Sequence, residues 1–159
     1  MNLNCRLAAL AALIAITSGA VGTRAAEPQP VLWHSNLSAA WKTTLDTHRP
    51  LILFVKSDGC HYCHKMLRTT YNDRDVLDDI QRGFVAVKVD AAAHPALVKE
   101  LKVRAYPTTF IISSDAVVLD AITGYAEPAK LRAHLSNAYR VETARRNQQG
   151  TKGVSYQAG

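Results

Sequence analysis

Cys60 and Cys63 stand three residues apart in the run Ser57-Asp58-Gly59-Cys60-His61-Tyr62-Cys63-His64-Lys65-Met66. Thiols at that spacing support a short set of chemistries. The apolar run Leu51 to Val55 and the turn residues Ser57-Asp58-Gly59 precede them. Cys60 is therefore predicted to open a helix, where unpaired N–H groups and the positive end of the helix dipole favour a thiolate. One helical turn brings Cys63 back under Cys60, within the Cα separation that a disulfide requires. Cys60, the less covered of the two, would attack a disulfide; Cys63, one turn deeper, would resolve the mixed disulfide. Lys56, His61, His64, Lys65 and Arg68 add positive charge, opposed mainly by Asp58. Charge of that sign stabilises the thiolate, hence the reduced form, and raises the reduction potential.

Three rival readings use the same residues. Cys-x-x-Cys-His is the attachment signature for c-type haem. Such a protein would be mostly helical and would need an axial partner, and Met66 lies too close to Cys63 to reach the opposite haem face. His34, His48, His94 and His134 could still serve, but the strands around the motif fit that reading poorly. A zinc site needs two further ligands, and no second Cys pair or His-x3-His follows. A purely structural disulfide across four residues would close almost no loop. The residues favour a redox dithiol that needs no bound cofactor.

Elements that could hold such a dithiol are legible on both sides of it. Asn36 or Ser35 can cap a helix whose apolar residues Leu37, Ala40, Trp41 and Leu45 recur at helical spacing. Leu51 to Val55 reads as a strand buried on both faces. The helix from Cys60 to about Thr70 is re-capped at Asn72 or Asp73 and continues through Val76, Leu77 and Ile80 to Gly83. Phe84 to Val89 is the next strand, and Pro95 to Leu101 a short helix. Thr108 to Ile112 and Ala116 to Ile122 are two strands joined by three residues, so they should be antiparallel neighbours. Pro128 suits the first turn of a last helix, with Leu131, Leu135, Ala138 and Val141 on its apolar face. The order describes an α/β domain, a mixed sheet with helices on both faces, over residues 27–146. Residues 147–159 have no apolar period and are expected to form a disordered tail.

The chain has 159 residues, 48% apolar and 20% charged, which bounds it to one globular domain. Residues 1–26 hold no acidic residue, and Arg6 is followed by an apolar run, Leu7 to Val21, too short and too interrupted to span a membrane. They read as a secretory signal peptide cleaved near residues 20–26, which makes the protein exported, periplasmic or secreted. Without them the chain keeps two cysteines in a compartment that tolerates disulfides. It also keeps 17 basic and 13 acidic residues, a net +4. The excess lies beyond residue 127, spaced as the solvent side of a helix without interleaved aromatics, so no nucleic acid is expected as a partner.

Taken together, these residues resemble the thioredoxin superfamily. The resemblance rests on the strand Leu51 to Val55, the Cys-x-x-Cys at a helix start, the strand Phe84 to Val89 with Asp90, and Val103-Arg104-Ala105-Tyr106-Pro107-Thr108. The active-site run is similar to a branch with a Cys-His-Trp-Cys-His core, Tyr62 standing where that branch has Trp. The resemblance implies a thioredoxin fold and thiol–disulfide oxidoreductase activity. It implies that Cys60 and Cys63 are catalytic, that Pro107 is cis beside the disulfide, and that the Tyr106 backbone binds an extended client as an added strand. His61, Tyr62 and Thr108 would support that site. It also implies cysteine-containing client proteins, a membrane thiol–disulfide electron donor and a monomer. Two departures stand out: Phe54 occupies the position of thioredoxin's buried acid, and His61-Tyr62 replaces its Gly-Pro pair. A peptide-binding module that uses the Tyr106-Pro107 groove without turnover is the non-enzyme alternative.

Overall fold

The computed structural model describes residues 30–34 and 36–154, with side chains through residue 148. In chain order the elements are β1 (Trp33–His34), α1 (Leu37–Thr47), β2 (Leu51–Lys56), α2 (His61–Arg68), a 3₁₀ turn (Thr70–Asn72), α3 (Arg74–Gly83), β3 (Val85–Asp90), α4 (Pro95–Glu100), β4 (Thr108–Ile112), β5 (Val118–Thr123) and α5 (Pro128–Val154). The strands form one sheet of order β1-β3-β2-β4-β5. β3 lies parallel to both β1 and β2, while β4 lies antiparallel to β2 and β5. This is the α/β thioredoxin fold, with the mixed sheet and two-sided helix cover that the element order implied.

Side chains of the central strand alternate between two separate cores. Ile52 and Phe54 join Cys63, Met66, Val76, Leu77, Ile80, Leu131, Leu135 and Ala138, so α2, α3 and α5 cover that face. Leu51, Leu53 and Val55 join Ala40 and, more loosely, Trp41, Leu97, Val98 and Leu101, so α1 and α4 cover the other. A strand with no polar residue between Leu51 and Val55 is what two covered faces demand.

Caps follow the sequence closely. Asn36 Oδ1 accepts the Ala39 N–H at 2.8 Å, and Asp73 Oδ1 accepts the N–H groups of Asp75 and Val76 at 3.1 and 3.2 Å. The 3₁₀ turn separates α2 from α3, so the re-cap marks a true break.

Other boundaries differ from expectation for identifiable reasons. On α1 the buried position is Thr44, and Leu45 is exposed, because the inward face runs Leu37, Ala40, Trp41, Thr44 at i, i+3, i+4, i+7. On α5 the stripe Leu131, Leu135, Ala138 is continued by buried Glu142, whereas Val141 is exposed. Three helical turns from Leu131 land on residue 142, and residue 141 points roughly 100° away. β5 begins at Val118, because Ala116 takes φ 63° inside a wider turn in which Ser113 Oγ accepts the Val117 N–H at 2.9 Å. β1, two residues long, carries no periodicity to read. α5 is helical to Val154, past Arg146, where the apolar pattern stops and a disordered tail was expected. The signal peptide read in residues 1–26 lies outside the described residues, and among those described no helix is long and apolar enough to cross a membrane.

Candidate active site

Sheet register gathers the site at one end of the molecule. Val55 near the end of β2 pairs with Thr108 at the start of β4, and Thr108 pairs with Thr123 at the end of β5. The loops that leave β2, enter β4 and leave β5 therefore adjoin. They carry Cys60, Tyr106-Pro107 and Gly124-Tyr125 respectively. Gly59, at φ 64°, takes the left-handed backbone that turns the chain from β2 into α2.

Cys60 is the N-cap of α2, and its Sγ accepts the Cys63 N–H at 3.1 Å. The two sulfurs are joined, with an S–S distance of 2.10 Å and Cα atoms 5.2 Å apart. Cys63 is fully buried and Cys60 is half-buried. A polar N–H aimed at the more accessible sulfur, with the other sulfur sealed in the core, suits displacement at Cys60. Both thiols that a c-type haem or a zinc ion would use are thus engaged with each other. Among the described residues no group of three or more His, Cys, Asp or Glu is placed to hold a metal.

The remaining predicted residues divide by exposure. His61 and Tyr62 are exposed, Tyr62 to 57%, with their rings edge to face at 5.5 Å. Tyr106 is half-buried and packs against both cores, the Tyr106-Pro107 peptide is cis, and Pro107 is buried. The Pro107 carbonyl accepts the Gly124 N–H at 2.7 Å, which ties this loop to the one after β5. Thr108 is buried, and its hydroxyl donates to the Ala105 carbonyl at 2.7 Å. It shapes the loop and presents no group outward.

Behind Cys63 the core is aromatic. Phe54 stands edge to face with Tyr71 at 5.1 Å, and Trp33 does the same at 5.0 Å. The Tyr71 hydroxyl and the Thr109 hydroxyl share a hydrogen bond of 3.1 Å. Burial pushes the Tyr71 phenol well above its ordinary value, with only a partial offset from Thr109. It therefore stays neutral, and Phe54 beside it brings no charge.

The positive field around the pair is smaller than the sequence suggested. Lys56 Nζ pairs with Asp90 at 2.6 Å, a contact that holds the Asp90 carboxyl below its usual range, helped by the Ala92 N–H. Lys65 Nζ sits 4.2 Å from the Tyr125 ring centroid. Tyr125 also meets Thr69 at 3.2 Å and lies 6.3 Å from the Tyr62 ring. Sequence reasoning missed the pairing of Asp90 with Lys56 and the presence of Tyr125, since only strand register places them here. A cavity of about 660 Å³ between α3 and α5, lined in part by Asp79, Arg132 and Tyr139, contains none of the site residues.

Comparison with known proteins gives a consistent result. A family model described as a thioredoxin-like domain matches residues 37–139. The thiol:disulfide interchange protein DsbD of Neisseria meningitidis is 30% identical over 99 residues, 59% of this chain and 16% of that protein. An uncharacterized protein of Caenorhabditis elegans is 29% identical over 66 residues, 42% of this chain and 9% of that one. The chain therefore spans only a small part of the curated relatives it matches. Among solved structures, the reduced C-terminal domain of Neisseria meningitidis DsbD is similar at a TM-score of 0.55 and 25% identity, over 63% of this chain and 92% of that domain. A DsbH oxidoreductase superposes with a TM-score of 0.62 at 18% identity, over 74% of this chain and 92% of its own, a likeness of fold.

Proposed function

From the premise that the chain belongs to the thioredoxin-like domain family, we propose that it is an exported thiol–disulfide oxidoreductase acting on cysteine-containing client proteins or small thiols. The observation that carries this reading is the Cys60–Cys63 disulfide at the start of α2, accessible at Cys60 and buried at Cys63.

In the reducing direction the Cys60 thiolate attacks one sulfur of a client disulfide. A Cys60–client bond forms, and the other client sulfur leaves as a thiolate that takes a proton from solvent. Cys63 then loses its proton and attacks Cys60 Sγ, which expels the second client thiolate and closes the protein disulfide. Two electrons pass to the client, and the reverse sequence oxidises a client dithiol. The Cys63 N–H directed at Cys60 Sγ stabilises the thiolate both before attack and on release. Tyr106 offers backbone to an extended client beside the disulfide, Pro107 and Thr108 hold that loop in shape, and His61 and Tyr62 border the approach.

Export rests on the composition of residues 1–26. A membrane-bound thiol–disulfide protein would then supply the electrons that keep the pair reduced.

Trapping tests the assigned roles. Cys63→Ser should hold clients as mixed disulfides on Cys60, and Cys60→Ser should hold none. Equal trapping by the two variants, or none by either, would overturn the assignment.

A further inference from the structure

His61, His64, Lys65 and Arg68 fall at i, i+3, i+4 and i+7 of α2, on the face opposite buried Cys63 and Met66. His61, His64 and Arg68 are exposed and Lys65 is half-buried. Elsewhere Lys42, Lys56, Arg82, Arg132 and Arg145 each pair with an aspartate, while other described cations such as Lys99, Lys102 and Arg104 form no such pair. Among the described residues no carboxylate pairs with any of the four on α2. Lys65 and Arg68 stand in the last turn of α2, where the helix dipole itself favours cations. Asp58 is the single acidic residue from 57 to 72.

Resting on the oxidoreductase reading, we propose that this face is a docking stripe for a client segment in which Asp or Glu flanks the reactive cysteine. The stripe begins at the residue next to Cys60 and runs about 10 Å along the helix, the length of about three residues of extended peptide. A client acid within three residues of its cysteine reaches it while the cysteine sits at Cys60. Lys65 is held for that contact. Its ammonium rests on the Tyr125 ring, which Thr69 anchors through the Tyr125 hydroxyl. Ordering the side chain before binding lowers the entropy lost on pairing. Tyr62, exposed beside Tyr125, gives the client backbone an apolar surface on the same side.

The test uses the reduced protein and three peptides, each closed by one disulfide and differing only in whether Glu, Gln or Lys flanks the cysteines. The Glu-to-Gln ratio of second-order exchange rates should fall by about fivefold in Lys65→Gln/Arg68→Gln, the scale of a few exposed ion pairs. The Lys peptide should gain, and added salt should shrink the wild-type preference. The ratio cancels any change in thiol reactivity common to all peptides. An unchanged ratio would overturn the stripe and leave the oxidoreductase intact, whereas no exchange with any peptide would remove both. Salt-sensitive binding to phosphatidylglycerol vesicles or to single-stranded DNA, lost in the double variant without any peptide preference, would reassign the stripe to that partner and overturn the proposal.

Discussion

At Cys60 a backbone N–H points at the accessible sulfur. The Cys63 amide meets Cys60 Sγ at 3.1 Å, and such a donor stabilises a thiolate more than a thiol. One of the cations visible in sequence contributes less than its charge implies, since Lys56 is paired with Asp90. Phe54, buried where thioredoxin has an acid, brings no negative charge near the sulfurs. The balance still favours the reduced form, and we expect a reduction potential above about −270 mV, thioredoxin's value. Equilibration with a glutathione buffer measures it. A value at or below that figure would mean that water and salt screen His61 and the helix start. The cysteine pair was legible because its members are neighbours in sequence. The pairing of Asp90 and the place of Tyr125 were not, because 34 residues separate Asp90 from Lys56, and Tyr125 is brought to α2 only by the β4–β5 register.

At the scale of elements, patterns that repeat were read correctly, and patterns set by one odd residue were not. The Leu51 to Val55 run, the Asp73 cap and the antiparallel β4–β5 pair were all visible, since each follows from a local rule of burial, capping or turn length. Periodicity misplaces the inward face where a polar residue holds it: Thr44 on α1 and Glu142 on α5 are buried, and the apolar neighbours Leu45 and Val141 are exposed. Glu142 lies 3.9 Å from Arg145 on the same helix and accepts from the Ser114 hydroxyl at 3.5 Å, a partner 28 positions away in the chain. The distinction is measurable. Leu131→Ala or Leu135→Ala should each cost about 2–5 kcal/mol in urea unfolding, because both side chains are sealed between α5 and the sheet. Val141→Ala should cost less than about 0.5 kcal/mol, as exposed positions do. Comparable losses at 135 and 141 would rotate the helix from the orientation described.

Across the whole molecule, aspartates tie together elements that the apolar cores already pack. Asp75 and Asp79 of α3 hold Arg132 of α5 at 2.6 and 2.8 Å, Asp115 of the β4–β5 turn holds Arg145 at 2.6 Å, and Asp90 closes the end of β3 onto Lys56 of β2. The Ser113 hydroxyl, followed by Arg145, lowers the Asp115 carboxyl from its ordinary value, and Lys56 does the same for Asp90. A carboxyl whose pKa is lower in the folded chain than in the unfolded one adds stability above the unfolded value, about 3.9, and that stability disappears as pH falls through the folded value. The fold should therefore weaken on acidification below about pH 4, while the disulfide stays intact. Asp115→Asn isolates one such tie. The variant should be less stable than wild type at pH 7 by at most about 1 kcal/mol, since the pair is partly exposed. Its urea midpoint should also fall less steeply between about pH 4 and pH 2, because the group that would take up the proton is gone. Parallel midpoint curves for the two proteins over that range would show that Arg145 and Asp115 are screened by solvent, and that α5 is held to the hairpin by packing alone.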